Sequence, residues 1–187
     1  MKCIVLIFFS IFLIACNSED DSNFMDDDDE VLSDSFIMAR VNGNDFEAIP
    51  VDRGVSTISA QLVQNEAFFT FTLAGIDLGA DITQGEAIAL SMAGSSFDLV
   101  TEGVQINNPI TDPLALQFAG GYSSNGIDGE NFDFDTDGSS GFLRIDMIDK
   151  EARIISGAFE FNVENSGTGE ILQITDGVFN NINYVAD

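Results

Sequence analysis

The sequence predicts an all-β domain, an antiparallel β-sandwich of about ten strands. From residue 35 onward apolar and polar residues alternate instead of repeating every three or four, which is the period of a strand with one buried face. The candidate strands are short, Gly, Asn and Asp turns separate them, and no amphipathic helical pattern interrupts them. This arrangement is typical of sandwiches and barrels, so a closed, lipocalin-like β-barrel is the alternative architecture.

The first half of this region contains most of the candidate strands, and Asn42-Gly43 between the first two is a strong hairpin signal. In the segment after Asn65-Glu66, alternation places Phe69, Phe71 and Leu73 on one buried face. The predicted strands of this half are residues 36–41, 46–51, 57–63, 67–73, 86–92, 97–104 and 114–119. The last three are weaker, because Gly and Pro interrupt them.

The second half gives a clearer pattern. Residues 142–148 place Leu143, Ile145 and Met147 on one face, with Arg144 and Asp146 opposite. Asp149-Lys150-Glu151 forms the next turn. Residues 153–163 direct Ile155, Gly157, Phe159, Phe161 and Val163 inward and Ser156, Ala158, Glu160 and Asn162 outward. Residues 171–175 and 178–184 are the last strands, with Asp176-Gly177 as a tight turn or a bulge between them.

Composition excludes several classes of function. The chain has 187 residues, of which 6 are Lys or Arg and 32 are Asp or Glu, so its formal net charge is −26. A surface this acidic repels a phosphate backbone, which excludes nucleic acid as a partner. There is no His, and the only cysteines are Cys3 and Cys16. His-based triads, cysteine nucleophiles and His/Cys zinc sites are therefore excluded from the folded region.

The amino terminus indicates export. Lys2 precedes an apolar run over residues 4–14, and Ala15 and Cys16 follow, which predicts a signal peptide over residues 1–15. The run is too short to span a bilayer as a helix. Leu13-Ile14-Ala15-Cys16 resembles the bacterial lipoprotein signal, which implies cleavage before Cys16 and attachment of three acyl chains to it. We expect Cys16 to be the lipid site and the protein to be held at the membrane through this anchor.

An acidic segment follows the predicted anchor. Residues 17–34 hold nine acids and no base, so residues 16–34 are predicted to form a disordered tether and residues 35–187 a single domain. The placement of these acids resembles the export signal of Bacteroidota-type surface lipoproteins. This likeness implies an outer-membrane protein that faces the extracellular side, and the alternative is a plain spacer on the periplasmic face.

Three further stretches carry a family resemblance: residues 39–48 (ARVNGNDFEA), 155–161 (ISGAFEF) and 174–179 (ITDGVF). They resemble a family of small, uncharacterised lipoproteins of flavobacterial type. The resemblance implies an exported, lipid-anchored β-domain and offers no functional residue beyond Cys16.

One motif has the spacing of metal ligands. Asp133, Asp135 and Asp137 present oxygens at alternate positions and Gly138 follows, as in a calcium loop. Arg144 stands where an EF-hand has its bidentate Glu, so the motif is not an EF-hand. Calcium is the one cofactor that the sequence suggests, and an acidic, solvated loop is the alternative.

Other classes have weaker support. A carboxylate-based hydrolase needs two acids at a set separation, but no pair stands out and the chain has no Trp and two Tyr to stack on a sugar. We assign no catalytic residue. An apolar-ligand-binding barrel would account for the 17 Phe, but an ordinary core accounts for them as well. We therefore expect a monomeric, non-enzymatic lipoprotein for binding, adhesion or scaffolding, with a calcium-dependent module as the second hypothesis.

Overall fold

The structure is a computed structural model and describes residues 35–50, 56–79, 85–108, 116–124, 131–133, 141–164 and 168–187. These residues contain no α-helix. In chain order the strands are β1 Phe36–Val41, β2 Asn44–Ala48, β3 Ile58–Gln64, β4 Phe69–Asp77, β5 Glu86–Gly94, β6 Gln105–Asn108, β7 Gln117–Ser123, β8 Asn131–Asp133, β9 Gly141–Asp149, β10 Ile154–Glu164, β11 Ile171–Asn183 and β12 Val185–Ala186. A 3₁₀ turn, Phe97–Leu99, lies between β5 and β6.

The strands form two layers. The first sheet has the order β12-β3-β4-β5-β7, with β12 parallel to β3 and the other pairs antiparallel. The second sheet contains β2, β1, β11, β10, β9 and β6, all antiparallel. The short β8 pairs with β7 and, through Asp133 opposite Glu164, with β10, and so joins the two sheets at one side.

The core lies between the two sheets, as the prediction of a sandwich requires. Phe71, Leu73 and Met92 of the first sheet face Ile145 and Phe179 of the second across the same narrow gap. At the two ends of the strand order, β12 and β2 are not hydrogen-bonded to each other. The predicted β-sandwich is therefore confirmed, and the described strands do not close into the alternative barrel.

The first hairpin forms as predicted. Asn42 and Gly43 have φ angles of 49° and 83°, the pair of positive values that a two-residue hairpin turn needs. Val41 pairs with Asn44 and Ile37 with Ala48. The turn therefore sets a register that buries Ile37, Ala39, Phe46 and Ala48 together.

Bulges in the two strands beside β10 change the facing that alternation predicts. Ser156 and Gly157 follow each other in β10, but their partners Met147 and Ile145 leave Asp146 as an extra residue in β9, and β11 likewise has an extra residue between the partners of Ile155 and Gly157. The partly buried Ile148 therefore packs on the core where Met147 was predicted to do so, because one extra residue in a strand reverses the facing beyond it. β10 itself keeps its alternation, but Ser156, predicted to face outward, is buried, and its hydroxyl accepts the N–H of Asn181 in the β11 bulge. Leu143, Ile145, Phe159 and Phe161 are buried as predicted.

The last two predicted strands form one. β11 runs without interruption from Ile171 to Asn183, and the Asp176-Gly177 segment is a bulge, with Asp176 at φ 53° and shifted registers on both sides. The bulge interpretation is confirmed and the tight turn is excluded.

The middle of the chain shows the largest departures. Residues 97–104 were predicted as a strand and instead form the 3₁₀ turn and an irregular segment. The Ser96 side chain caps this turn by accepting the N–H of Asp98, and the Phe97 ring enters an aromatic cluster with Phe69 at 5.3 Å and Tyr184 at 5.9 Å between centroids. The apolar residues of this segment fill one part of the core. β6 and β8 were not predicted.

Candidate functional site

The outward side chains of β3, β4, β5 and β7 in the first sheet differ from the rest of the described surface because none of them is charged. Asp187, which follows β12, reaches the β3 edge of this surface, where its Oδ2 accepts a hydrogen bond from Gln61 Nε2 at 2.8 Å. Alternation in β3, β4, β5 and β7 buries one set of side chains and leaves the other set half-buried or exposed. We call the outward set the neutral face; it consists of Ser59, Gln61, Val63, Thr70, Thr72, Ala74, Ile76, Ala87, Ala89, Ser91, Ala93, Gln117, Ala119, Gly121 and Ser123. Its members are mostly small or uncharged polar residues, and none is charged.

The strand register places these residues in rows. Thr72 lies opposite Ser91 and Ser91 opposite Ala119, while the next row joins Ala74, Ala89 and Gly121. Because neighbouring strands lie about 4.8 Å apart, small side chains in these rows give a closely spaced, even surface. It offers hydroxyl and amide groups as both donors and acceptors and has no titratable group for acid–base chemistry.

The outer face of the second sheet is charged. Arg40 Nε lies 3.4 Å from Asp45 Oδ1, and Arg144 Nε lies 2.5 Å from Asp146 Oδ1. All four side chains are more than two-fifths exposed, so solvent screens both pairs and neither contributes much to stability. Met38 and Val178, paired across β1 and β11, form a small apolar spot among these charges. The charge of the described strands therefore lies on this side of the sandwich and at the strand ends.

Acidic side chains also gather where β4 ends and β5 begins. Asp77 lies opposite Glu86 in the ladder. Asp77 accepts the N–H of Glu47 at 3.0 Å and the N–H of Gly79 at 2.7 Å, using both carboxylate oxygens. Burial above all, then the charge and hydrogen bond of Glu86 and the charge of Asp77, raise the pKa of the Tyr122 hydroxyl well above its ordinary value.

A shallow cleft of about 290 Å³ adjoins these acids and is lined by Glu47, Thr57, Ile76, Asp77 and Gly79 among others. Since Asp77 is bound to two backbone N–H groups, its role in the described part of the cleft is to hold the loop after β4 against β2. The cleft offers two acids, Glu47 and Asp77, and one hydroxyl, that of Thr57, which donates to the carbonyl of Ile49; no described basic side chain lines it.

The gap between the sheets is small. It measures about 10 Å³ and is lined almost entirely by apolar side chains, among them Phe71, Leu90, Leu143 and Ile155. One water molecule needs about that much room, so the described core has no space for an acyl chain or another apolar ligand.

The predicted site residues fall outside this description. Cys16, Asp135 and Asp137 lie beyond the described residues, and of Asp133 only the backbone pairing in β8 is described. Among the residues that the structure describes, no three Asp, Glu, Cys or His side chains are arranged to hold a metal ion. The described ranges also contain no helix long and apolar enough to cross a membrane.

Sequence reasoning missed the neutral face. Each strand alone shows only small residues at alternate positions, which is ordinary for a half-buried strand. The uncharged surface becomes visible only when β3, β4, β5 and β7 are placed side by side. In that order β5 pairs with β7, and β6, which lies between them in sequence, belongs to the other sheet.

Comparison with known proteins identifies a family but no characterised relative. The model of a family described as a domain of unknown function (DUF6252) matches residues 42–183. No curated protein and no solved structure shows a significant similarity to the chain.

Proposed function

Because the chain belongs to the DUF6252 family, whose description assigns no activity, we propose a function from its surfaces: a lipid-anchored, non-enzymatic binding module of the cell envelope that binds through the neutral face. Cys16 carries the lipid, the acidic residues 17–34 form the tether, and the sandwich presents the binding surface.

The observation that carries this proposal is the absence of charged residues among the outward side chains of four neighbouring described strands in a chain of net charge −26. Solvated surfaces of soluble domains mix charges of both signs, as the outer face of the second sheet does here. Depletion of charged residues is a compositional mark of the core of a protein interface. The absence of charge therefore fits a surface that becomes covered.

Two further observations favour binding over catalysis. The gap in the described core admits no substrate. Both carboxylate oxygens of Asp77, which lines the shallow cleft, already accept backbone N–H groups. A face is thus the best candidate for contact with a partner.

The attachment point of the tether is compatible with this role. The domain begins at Ser35, whose hydroxyl donates to the carbonyl of Asn181 at 2.7 Å, and continues directly into β1 of the second sheet. The neutral face belongs to the other layer of the sandwich, so the first described strand lies in the sheet opposite the proposed binding surface. We propose that the domain lies outside the outer membrane, with the periplasmic face as the alternative that experiment decides.

Single-cysteine variants test the binding surface. Residues 35–187 contain no cysteine, so Ser91→Cys places one thiol at the centre of the neutral face, and Val178→Cys places a matched thiol on the exposed outer face of the second sheet. Each variant is treated with a membrane-impermeant maleimide on intact cells and again after purification. We expect Ser91→Cys to label several-fold more slowly on cells than when purified, while Val178→Cys labels equally in both. Equal labelling of Ser91→Cys in both settings would contradict binding through this face.

The anchor and the location are read from the same cells. We expect the mass of the mature protein to include acyl chains that the Cys16→Ala variant lacks. Labelling of Val178→Cys without permeabilisation indicates the extracellular side, and labelling only after permeabilisation indicates the periplasmic side. An unacylated parent protein would remove the lipoprotein proposal.

A further inference from the structure

We infer that the partner of the neutral face is a second copy of this chain, which stacks sheet against sheet in a pair that strengthens as salt is added. This inference rests on the proposed function, because it names what covers the face.

The distribution of charge selects the partner. Residues 35–187 contain 23 acids and 5 bases, so two copies repel each other over most of their surface. The neutral face is the described sheet surface that brings no charged side chain of its own into a contact between two copies, and the Asp187 carboxylate bound to Gln61 lies at its β3 edge. A cationic partner, in contrast, is drawn to the acidic surfaces elsewhere on the domain, since complementary charge steers association.

The chemistry of the face is complementary to itself. The hydroxyls of Thr72 and Ser91 both donate and accept hydrogen bonds, so a hydroxyl on one copy can pair with a hydroxyl on the other. A two-fold axis through the middle of the face would bring the same patch of both copies together, which is the usual symmetry of homodimers. The small side chains at Ala74, Ala89 and Gly121 let two sheets approach closely.

The size of the face limits the area that two copies can bury on association. Four strands spaced about 4.8 Å apart and about seven residues long give a face of roughly 19 by 23 Å. The resulting area, about 440 Å² on each copy, is smaller than the roughly 800 Å² that each partner buries in a typical stable complex. The free protein is therefore mostly monomeric when dilute, and attachment of copies to one membrane raises their effective concentration.

The salt dependence has a defined sign. Added salt screens the repulsion between exposed carboxylates, since the Debye length falls from about 30 Å at 0.01 M to about 10 Å at 0.1 M. The contact itself contains no ion pair to weaken. Association therefore increases with salt, opposite to the behaviour of an interface held by charge complementarity.

The test is cross-linking of the full chain, purified in mild detergent, at about 0.02 M and about 0.5 M NaCl, concentrations with long and short Debye lengths. Ser91→Cys is treated with a flexible bis-maleimide, and Val178→Cys and the parent chain serve as controls. We expect Ser91→Cys to give a covalent product of twice the chain mass, several-fold above both controls and increasing with salt. Thr72→Cys, opposite Ser91 in the ladder, is the second variant, and circular dichroism establishes that each variant is folded.

Each other outcome overturns the inference. If folded Ser91→Cys and Thr72→Cys cross-link no more than the controls at either salt concentration, the face does not pair with itself. A product of any mass other than twice the chain, or a yield that falls with salt, also contradicts it. Protection of Ser91→Cys on cells without such a cross-link would leave the proposed binding role standing with a different partner, so the two failures are distinguishable.

Discussion

The hydroxyl of Ser156 is predicted to be a large local contributor to stability. Ser156 lies in β10, opposite the bulge of β11, where the residue is 7% exposed, and its hydroxyl accepts the backbone N–H of Asn181 at 2.9 Å. Asn181 is in the left-handed region, with φ 49°, and its carbonyl accepts the Ser35 hydroxyl at 2.7 Å. Two serine hydroxyls therefore bind the N–H and the carbonyl of the same residue.

Ser156→Ala removes one of these bonds and leaves the N–H of Asn181 without this partner in a half-buried position. An unsatisfied buried polar group costs about 1–3 kcal/mol. For a domain of this size about 2 kcal/mol corresponds to a fall in melting temperature of roughly 4–8 °C. We expect a decrease of that magnitude.

The assay is chemical denaturation followed by circular dichroism, with Ser91→Ala as the control. That variant makes the same chemical change on the neutral face, in the other sheet. We expect its free energy of unfolding to differ by less than about 0.5 kcal/mol from that of the parent protein. If Ser156→Ala is as stable as the parent, or if both variants lose the same stability, the hydroxyl does not replace a backbone partner at the bulge.

Three further predictions follow from the described geometry and from the sequence. The pKa of Tyr122 is raised in the folded domain above 10.0, so as the pH rises the unfolded state loses this proton first, and stability that is present below about pH 10 falls as the pH rises further. We expect Tyr122→Phe to reduce the fall in melting temperature between about pH 9 and about pH 11, and an unchanged dependence of melting temperature on pH would refute the assignment. In Gly157→Ala the new Cβ would lie 2.1 Å from the carbonyl oxygen of Arg144 and 2.6 Å from Phe179 Cζ, so we expect a loss of at least about 2 kcal/mol in denaturant titration, and a fully stable variant would contradict it. The calcium hypothesis predicts that millimolar calcium raises the melting temperature and that Asp135→Asn abolishes the shift; no shift between calcium and chelator would end it.

Local patterns predicted much of the fold. Asn42-Gly43 predicted both the turn and the register of β1 and β2, because few residues other than Asn and Gly favour two successive positive φ angles. Strict alternation predicted the buried face of β4 and that of β9 as far as Ile145, because each strand has one face against the opposite sheet.

The failures arise where tertiary contacts override local pattern. Residues 97–104 have the composition of a strand, but the packing of Phe97 against Phe69 and the Ser96 cap favour a turn. The burial of Ser156 involves a backbone partner 25 residues away in the sequence, which no local pattern contains. The neutral face also depends on strand order, and strand order is set by pairings distant in sequence.

The position of β11 has a consequence for how the domain folds. β11 lies between β1 and β10, and Ile37 of β1 pairs with Phe179, whereas β10 pairs with both of its neighbours in sequence. Hairpins such as β1–β2, β3–β4 and β9–β10 form from local contacts, but β1 has no partner on its second edge until residues 171–183 are present. Such long-range pairing slows folding, and an unpaired edge invites contact with other chains. During synthesis the β1–β2 hairpin therefore keeps an open edge until β11, one of the last strands, pairs with β1.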